Sequence, residues 1–162
     1  MALRTGLLLA ALQVALALPA VAAPGWLSYL NQRYGYEAMV PPGFDGLGES
    51  DAGDGQVFRR SDGRATLTVW GGYLAGGPFA DETASRLADL KSEGWTITYE
   101  ASTPGWASYS GTKGQRVVYF REIAGCKSSQ FAAARFEYPA IEITAMNAVV
   151  TRVAAELSQK VC

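Results

Sequence analysis

Hydrophobic and polar residues alternate along several short stretches of the chain, which is the pattern of half-buried β-strands. The clearest pair of stretches spans residues 57–60 and 65–70. Pairing them across a two-residue type I′ turn at residues 62–63 places Phe58 opposite Leu67. Apolar side chains then share one face of the hairpin, and arginine and threonine side chains share the other. We therefore predict a hairpin whose charged turn is structural and not a binding site.

Two other stretches show the helical period of 3.6 residues. One runs from Phe79 to Gly94, where glycine is placed to end the helix, and the other runs from Ile141 to about Ser158. Strands in a row between isolated helices predict an α+β fold, with two main helices on a largely antiparallel sheet of about six to seven strands. We expect one domain over residues 25–162. The remaining segments are predicted as an amphipathic lead-in at 26–33, strands at 36–40, 95–99, 106–110, 115–123 and 130–138, and a polar loop at 44–55.

The N-terminal residues have the composition of a secretory signal peptide. Arg4 provides a positive start, residues 6–18 are almost entirely apolar, and residues 20–22 form an A-x-A pattern. We predict a signal peptide over residues 1–22, cleaved after Ala22 or Ala23. The apolar run is shorter than the roughly 20 residues that a membrane span needs. The mature protein is therefore expected to be periplasmic or secreted, with no membrane anchor.

The sequence has two cysteines, Cys126 and Cys162. An exported protein folds in an oxidising compartment, where a single pair of cysteines favours a disulfide bond. A redox role is the alternative, but redox pairs usually have the C-x-x-C spacing or an activated thiolate. We predict a structural disulfide between the two residues.

Composition removes several classes of function. The sequence has no histidine, which excludes Ser-His-Asp and Cys-His catalysis and histidine-containing zinc sites. The net charge of −1 leaves no general basic surface for nucleic acid. We expect a monomer without a cofactor.

Four acidic residues lie close together in the predicted loop: Asp45, Glu49, Asp51 and Asp54. Such a density of carboxylates could hold Ca²⁺, but the spacing departs from that of an EF-hand. Solvated loop acids are the favoured interpretation. A small hydrolase that uses these carboxylates is the alternative function. The sequence leaves it open, because the distance between the two carboxylates of a catalytic pair is set by the fold.

Aromatic and basic residues suggest a surface for a partner. Trp70 and Trp106 are predicted to lie on the faces opposite the apolar faces of their hairpins, with Tyr119 and Arg121 nearby. These residues could line a groove for a peptide or a glycan. The equally open alternative is that they belong to a second sheet face that a helix covers, since sheets bury tryptophan readily.

The order of elements and three segments resemble the Mog1/PsbP-like group of small α+β domains: "YGYEAMVPPGF" at 34–44, "GTKGQRVVYFREI" at 111–123 and "FAAARFEYP" at 131–139. The hairpin segment also resembles uncharacterised exported bacterial proteins. The resemblance implies an accessory or binding protein without a shared active site, and it transfers no functional residue. We therefore expect a non-catalytic binding or accessory module of the bacterial cell envelope, whose partner is an envelope protein or glycan.

Overall fold

A computed structural model describes residues 25–75 and 77–162, so the predicted signal peptide lies outside the described residues. In this part of the chain neither helix is long and apolar enough to cross a membrane. The described residues form the strands β1 (Leu27–Leu30), β2 (Tyr36–Val40), β3 (Phe44–Glu49), β4 (Gly55–Arg60), β5 (Thr66–Tyr73), β6 (Thr96–Thr103), β7 (Trp106–Lys113), β8 (Arg116–Gly125), β9 (Gln130–Pro139) and β10 (Ser158–Gln159), and the helices α1 (Phe79–Ser92) and α2 (Ile143–Glu156).

Seven of the strands form one antiparallel sheet in the order β3-β4-β5-β9-β8-β7-β6. The other three form a small antiparallel sheet in the order β1-β2-β10. Helix α2 packs on β2, β8 and β9, and α1 lies against the opposite face of the large sheet. This architecture confirms the predicted α+β fold, in which two helices pack on an antiparallel sheet.

Strand β9 lies in the middle of the large sheet and contributes side chains to a core on each face. Phe131 and Ala133 point to the core under α1, and Ala132, Ala134 and Phe136 point to the core under α2. Because successive side chains of a strand alternate between the faces, one strand supplies both cores. The small alanines let covering side chains approach the sheet closely. The α2 core also contains Leu67, Val69, Met146, Val150 and Val153, and the α1 core also contains Phe79, Leu90, Trp95, Tyr109 and Phe120.

The predicted hairpin forms β4 and β5 with the predicted register, because Phe58 lies opposite Leu67. The predicted type I′ turn is wrong. The backbone N–H of Gly63 donates to the Arg60 carbonyl, which centres the turn on Ser61 and Asp62. Only Gly63 in this turn has a positive φ, of 72°. A tight turn followed by a glycine in the left-handed region is a common alternative to the type I′ turn in hairpins.

The charged side chains of this turn attach it to the start of α2. Arg60 donates to both carboxylate oxygens of Glu142, over 2.6 and 3.0 Å. Asp62 accepts the backbone N–H of Arg64 at 2.9 Å and forms an ion pair with Arg60. Hydrogen bonds from Arg60 hold the pKa of Glu142 below its usual value. The turn therefore has a structural role, as the sequence predicted.

Three strands were not anticipated. Residues 44–49 form the edge strand β3, although they were predicted to be loop. Its glycines and exposed side chains hide the alternation, and only Phe44 is buried. Residues 27–30 pair with β2 as β1, and the predicted second helix ends at Glu156, before the short strand β10.

The disulfide between Cys126 and Cys162 is present, with the two Cα atoms 5.3 Å apart. It joins the turn after β8 to the segment that follows β10. The same segment is bound to the carbonyl of Gly35 by the backbone N–H groups of Lys160 and Val161, at 2.8 and 3.0 Å. Its attachment therefore combines a covalent bond with backbone hydrogen bonds.

Replacing both cysteines by serine is expected to destabilise the protein. In the chain-entropy model, a bridge across a sequence separation of 36 residues stabilises by about 3–4 kcal/mol. Urea unfolding of the oxidised protein and of the Cys126→Ser/Cys162→Ser variant should show a lower midpoint for the variant. Equal midpoints would show that the hydrogen bonds to Gly35 hold this segment without the bridge.

Candidate functional site

A groove lies on the α2 face of the large sheet. Helix α2 covers β8 and β9, whereas β6 and β7 extend beyond it toward the edge of the sheet. The groove between the helix and these strands has a volume of about 440 Å³, within the range of small-ligand sites. Its lining residues are Thr98, Ser110, Thr112, Val117, Tyr119, Arg121, Tyr138, Ile143, Asn147, Val150, Thr151, Ala154 and Ala155.

Trp106 and Arg121 lie together at one side of this groove. The Arg121 guanidinium carbon is 4.3 Å from the centre of the Trp106 ring, a cation–π arrangement. Arg121 Nη1 donates to the buried Ser108 Oγ at 3.0 Å, and the Tyr119 hydroxyl donates to the same oxygen at 3.2 Å. The ring and the serine hold the guanidinium in one orientation. We call the surface formed by Tyr99, Trp106, Tyr119, Arg121 and Ile143 the groove face.

Arg121 is half-buried and has no carboxylate partner among the described residues. Its Nε atom is buried and makes no hydrogen bond in this part of the chain. Burial lowers the pKa of Arg121 below its ordinary value. An arginine nevertheless stays charged at any physiological pH, so the groove contains a positive charge that no carboxylate of residues 25–75 and 77–162 neutralises.

Trp70 lies on the opposite face of the sheet from Trp106. In the register, Trp70 is opposite Ala133 of the α1 core, and its ring centre is 5.7 Å from that of Phe120. Trp106 is opposite Ile123, whose side chain contacts the α2 core. The two tryptophans therefore cannot line one groove. Trp70 packs against the α1 core, which fits the alternative interpretation of a sheet face covered by a helix. Trp106 and Arg121 lie together on the other face, and their role in binding stays a prediction.

The acidic segment uses its carboxylates for internal contacts. Glu49 accepts hydrogen bonds from the Tyr29 hydroxyl at 2.7 Å and from Asn31 Nδ2 at 3.0 Å. Asp54 accepts a hydrogen bond from Ser50, and Asp45 lies opposite Arg59 at the sheet edge. Among the residues that the structure describes, no three side chains of the metal-binding types come together. Glu49 and Asp54 are therefore engaged in hydrogen bonds within the protein.

Glu122 is a buried acid that the sequence analysis did not single out. It is fully buried on the α1 face, opposite Ala107 and Ala133, and neither of its oxygens has a hydrogen-bond partner in the described chain. Burial, with a smaller contribution from the nearby Glu82 carboxylate, raises the pKa of Glu122 to about 8. A signal was available, because strand alternation places residue 122 on the same face as Val118 and Phe120.

The chain was compared with known families, curated proteins and solved structures. No protein-family model matches the sequence, and no curated protein matches it. Among solved structures, the cyanobacterial PsbP (CyanoP) of Synechocystis sp. PCC 6803 superimposes with a TM-score of 0.62 at 14% sequence identity, covering 88% of this chain and 97% of that chain. The Ran-binding protein Mog1p of Saccharomyces cerevisiae superimposes with a TM-score of 0.60 at 10% identity, covering 84% and 96% of the two chains.

The chain has the Mog1/PsbP-like fold. Both similar structures are matched over almost their whole length, so the likeness extends over the complete fold and not over a shared substructure. This outcome confirms the resemblance expected from the sequence. At such low identity the likeness concerns the backbone alone, and it assigns no role to the residues of the groove face.

The buried acid of this Mog1/PsbP-like domain is expected to make its stability depend on pH. Because the native state keeps the Glu122 proton after the unfolded state has lost it, stability falls as pH rises from about 4.5 to about 8, with a limiting slope of about 1.4 kcal/mol per pH unit. The Glu122→Gln variant should lose this decline. Urea unfolding of both proteins at several pH values between 5 and 9 measures the difference.

Histidine is the side chain that usually titrates between pH 5 and 8, and this sequence has none. A difference between the pH dependences of the two proteins can therefore be assigned to Glu122 more directly. The variant should therefore gain stability relative to the wild type as pH increases. Parallel pH profiles for the two proteins would show that Glu122 is already ionised in the native state at neutral pH.

Proposed function

We propose that the protein is an exported, non-catalytic accessory module of the bacterial cell envelope, which binds an envelope protein or glycan through the groove face. The observation that carries this proposal is the exposure of apolar side chains where the sheet extends beyond α2. There Tyr99 of β6, which lies opposite the lining residue Ser110, is 51% exposed, and Ile143, a lining residue at the start of α2, is 52% exposed. Exposed apolar side chains around a groove with polar groups are typical of binding surfaces.

Two features support export. The first 23 residues have the composition of a cleaved signal peptide. The disulfide between Cys126 and Cys162 is of the kind that persists in oxidising compartments and is rare in the bacterial cytosol. Both features favour a periplasmic or secreted protein.

The fold favours a protein partner over a glycan. One of the similar structures is a Ran-binding protein, which is an example of this fold in protein recognition. The ring of Trp106 is also partly occupied by the Arg121 guanidinium, which leaves less of its face for stacking on a sugar. A carboxylate-dependent hydrolase has no comparable support, since Glu49 and Asp54 are engaged within their own segment.

Expression of the full chain in a bacterial host should yield a processed protein in the periplasm or the medium. Cleavage after Ala22 or Ala23 predicts a mature chain that begins at Ala23 or Pro24. Intact-mass measurement of the protein from each cell fraction tests this. An unprocessed protein that stays in the cytosolic fraction would contradict export.

The binding proposal is tested by chemical cross-linking of the exported protein in the envelope of its own source, followed by mass spectrometry. A specific partner should be lost in the Tyr99→Ala/Ile143→Ala variant, because two exposed apolar contacts at the groove are removed. The matched control is Tyr73→Ala/Leu47→Ala, which removes two side chains that are 61% and 57% exposed elsewhere on the molecule.

Near-ultraviolet circular dichroism of both variants should match that of the wild type, so that a lost partner cannot be attributed to unfolding. Equal recovery of the partner with the groove variant and the control variant would remove the groove face from the proposal. Loss of the partner in the control alone would move the binding surface to another side of the molecule.

A further inference from the structure

The positive charge of Arg121 differs from those of the other half-buried arginines. Those residues all form ion pairs with carboxylates of the protein: Arg60, Arg86, Arg116 and Arg135. Within the described residues, Arg121 has the burial of this group without the carboxylate. Removing a charge from water is costly unless an opposite charge compensates for it. The groove therefore presents a cation that an anion from outside can neutralise.

The hydrogen bonds of Arg121 leave part of the guanidinium available. Nη1 donates to Ser108, and the face of the group lies over Trp106. Nε makes no hydrogen bond among the described residues but is itself buried. Nη2 also makes no hydrogen bond in this part of the chain and is not among the buried unpaired atoms, so it is the donor that a carboxylate in the groove can reach. The chain thus fixes the orientation of the guanidinium without using Nη2.

The walls of the groove indicate the rest of the ligand. Val117, Tyr138, Val150 and Ala154 supply apolar surface, and the hydroxyls of Ser110 and Thr112 supply polar groups. Arg121 is the only cationic side chain among the lining residues. A phosphate dianion is usually held by several cations or by the amides of a helix N-terminus. One arginine beside apolar walls is suited to a single negative charge on an apolar body.

We propose that the groove between α2 and the sheet is a binding site for a monocarboxylate with an apolar body, supplied either by a free organic acid or by the terminal carboxylate of a peptide. Arg121 binds the carboxylate, Trp106 and Ser108 position the guanidinium, and the side chains of β8 and α2 contact the apolar body. This assignment does not depend on the partner proposed above, because it concerns a small ligand and is tested on the isolated protein.

The experiment is an NMR titration of the ¹⁵N-labelled protein, expressed as the full chain and purified as the cell processes it. The probes are hexanoate, its neutral analogue hexanamide, an acetylated Ala-Ala-Leu peptide with a free C-terminal carboxylate, the same peptide as its amide, and inorganic phosphate. The reporters are the Arg121 Nε–H signal and the backbone amides of Ser110, Tyr119 and Thr151. Saturable shifts with a carboxylate probe, without shifts from its neutral partner, support the proposal.

Variants assign the effect to the groove. Arg121→Gln should lower the affinity for the carboxylate by roughly tenfold to a hundredfold, the range for lost hydrogen bonds to a charged group. Arg152→Gln is the matched control, because Arg152 also lies over a tryptophan, Trp26, at 4.4 Å but is paired with Glu156. Its affinity should equal that of the wild type. Ala155→Leu, which leaves Arg121 intact and narrows the groove from an exposed position of α2, should also weaken binding.

Each result has a defined meaning. Binding of hexanoate alone identifies a free acid as the source of the carboxylate, and binding of the peptide alone identifies a chain terminus. Equal shifts with hexanamide would overturn the proposal in favour of a purely apolar pocket, and equal shifts with phosphate would replace it with nonspecific anion binding. No shift with any probe, or unchanged affinity in both Arg121→Gln and Ala155→Leu, would also overturn it.

Discussion

The pairing of β9 with β5 on one side and with β8 on the other is the interaction on which the rest of the structure depends. These ladders join the N-terminal strands to the strands that follow α1. Because β9 is central, both of its faces are buried, and the run Phe131–Phe136 serves two cores with alternate side chains. Helix α2 packs on one of these two faces. Both faces of the large sheet are therefore covered, one by α2 and the other by α1.

The groove forms because the layer that covers this face of the large sheet is narrower than the sheet itself. Helix α2 and the small sheet cover β4, β5, β9 and β8 on one face, whereas β7 and β6 lie farther out. A single helix cannot cover seven strands spaced about 4.8 Å apart. The side chains of β7 and of the outer part of β8 on this face are therefore left partly open. Trp106 and Arg121 occupy this boundary, which is why both are half-buried and close to polar groups.

Arg121 and Glu122 illustrate how a sheet separates charges that are adjacent in sequence. Successive side chains point to opposite faces, so the two residues cannot neutralise each other. Arg121 lies in the groove under α2, and Glu122 lies in the core under α1. Burial disfavours the charged form of each group, lowering the pKa of Arg121 and raising that of Glu122. Arg121 retains its charge because the ordinary pKa of arginine lies far above neutrality. The raised pKa of Glu122, about 8, instead favours the protonated carboxyl at neutral pH.

The amino-acid sequence by itself determined the α+β class, the positions of both helices, the register of the β4–β5 hairpin and the disulfide, because these follow from local periodicity, from turn residues and from there being one pair of cysteines. Tertiary structure decided the rest. The glycine-rich segment at 44–49 becomes a strand only because β4 offers it backbone partners. Trp70 and Trp106 lie on opposite faces of the sheet. The pairing of the strands between them decides this, and periodicity within one strand cannot give it. The partial burial of Arg121 and the complete burial of Glu122 depend on which helix covers each face. That is fixed only when distant strands pair.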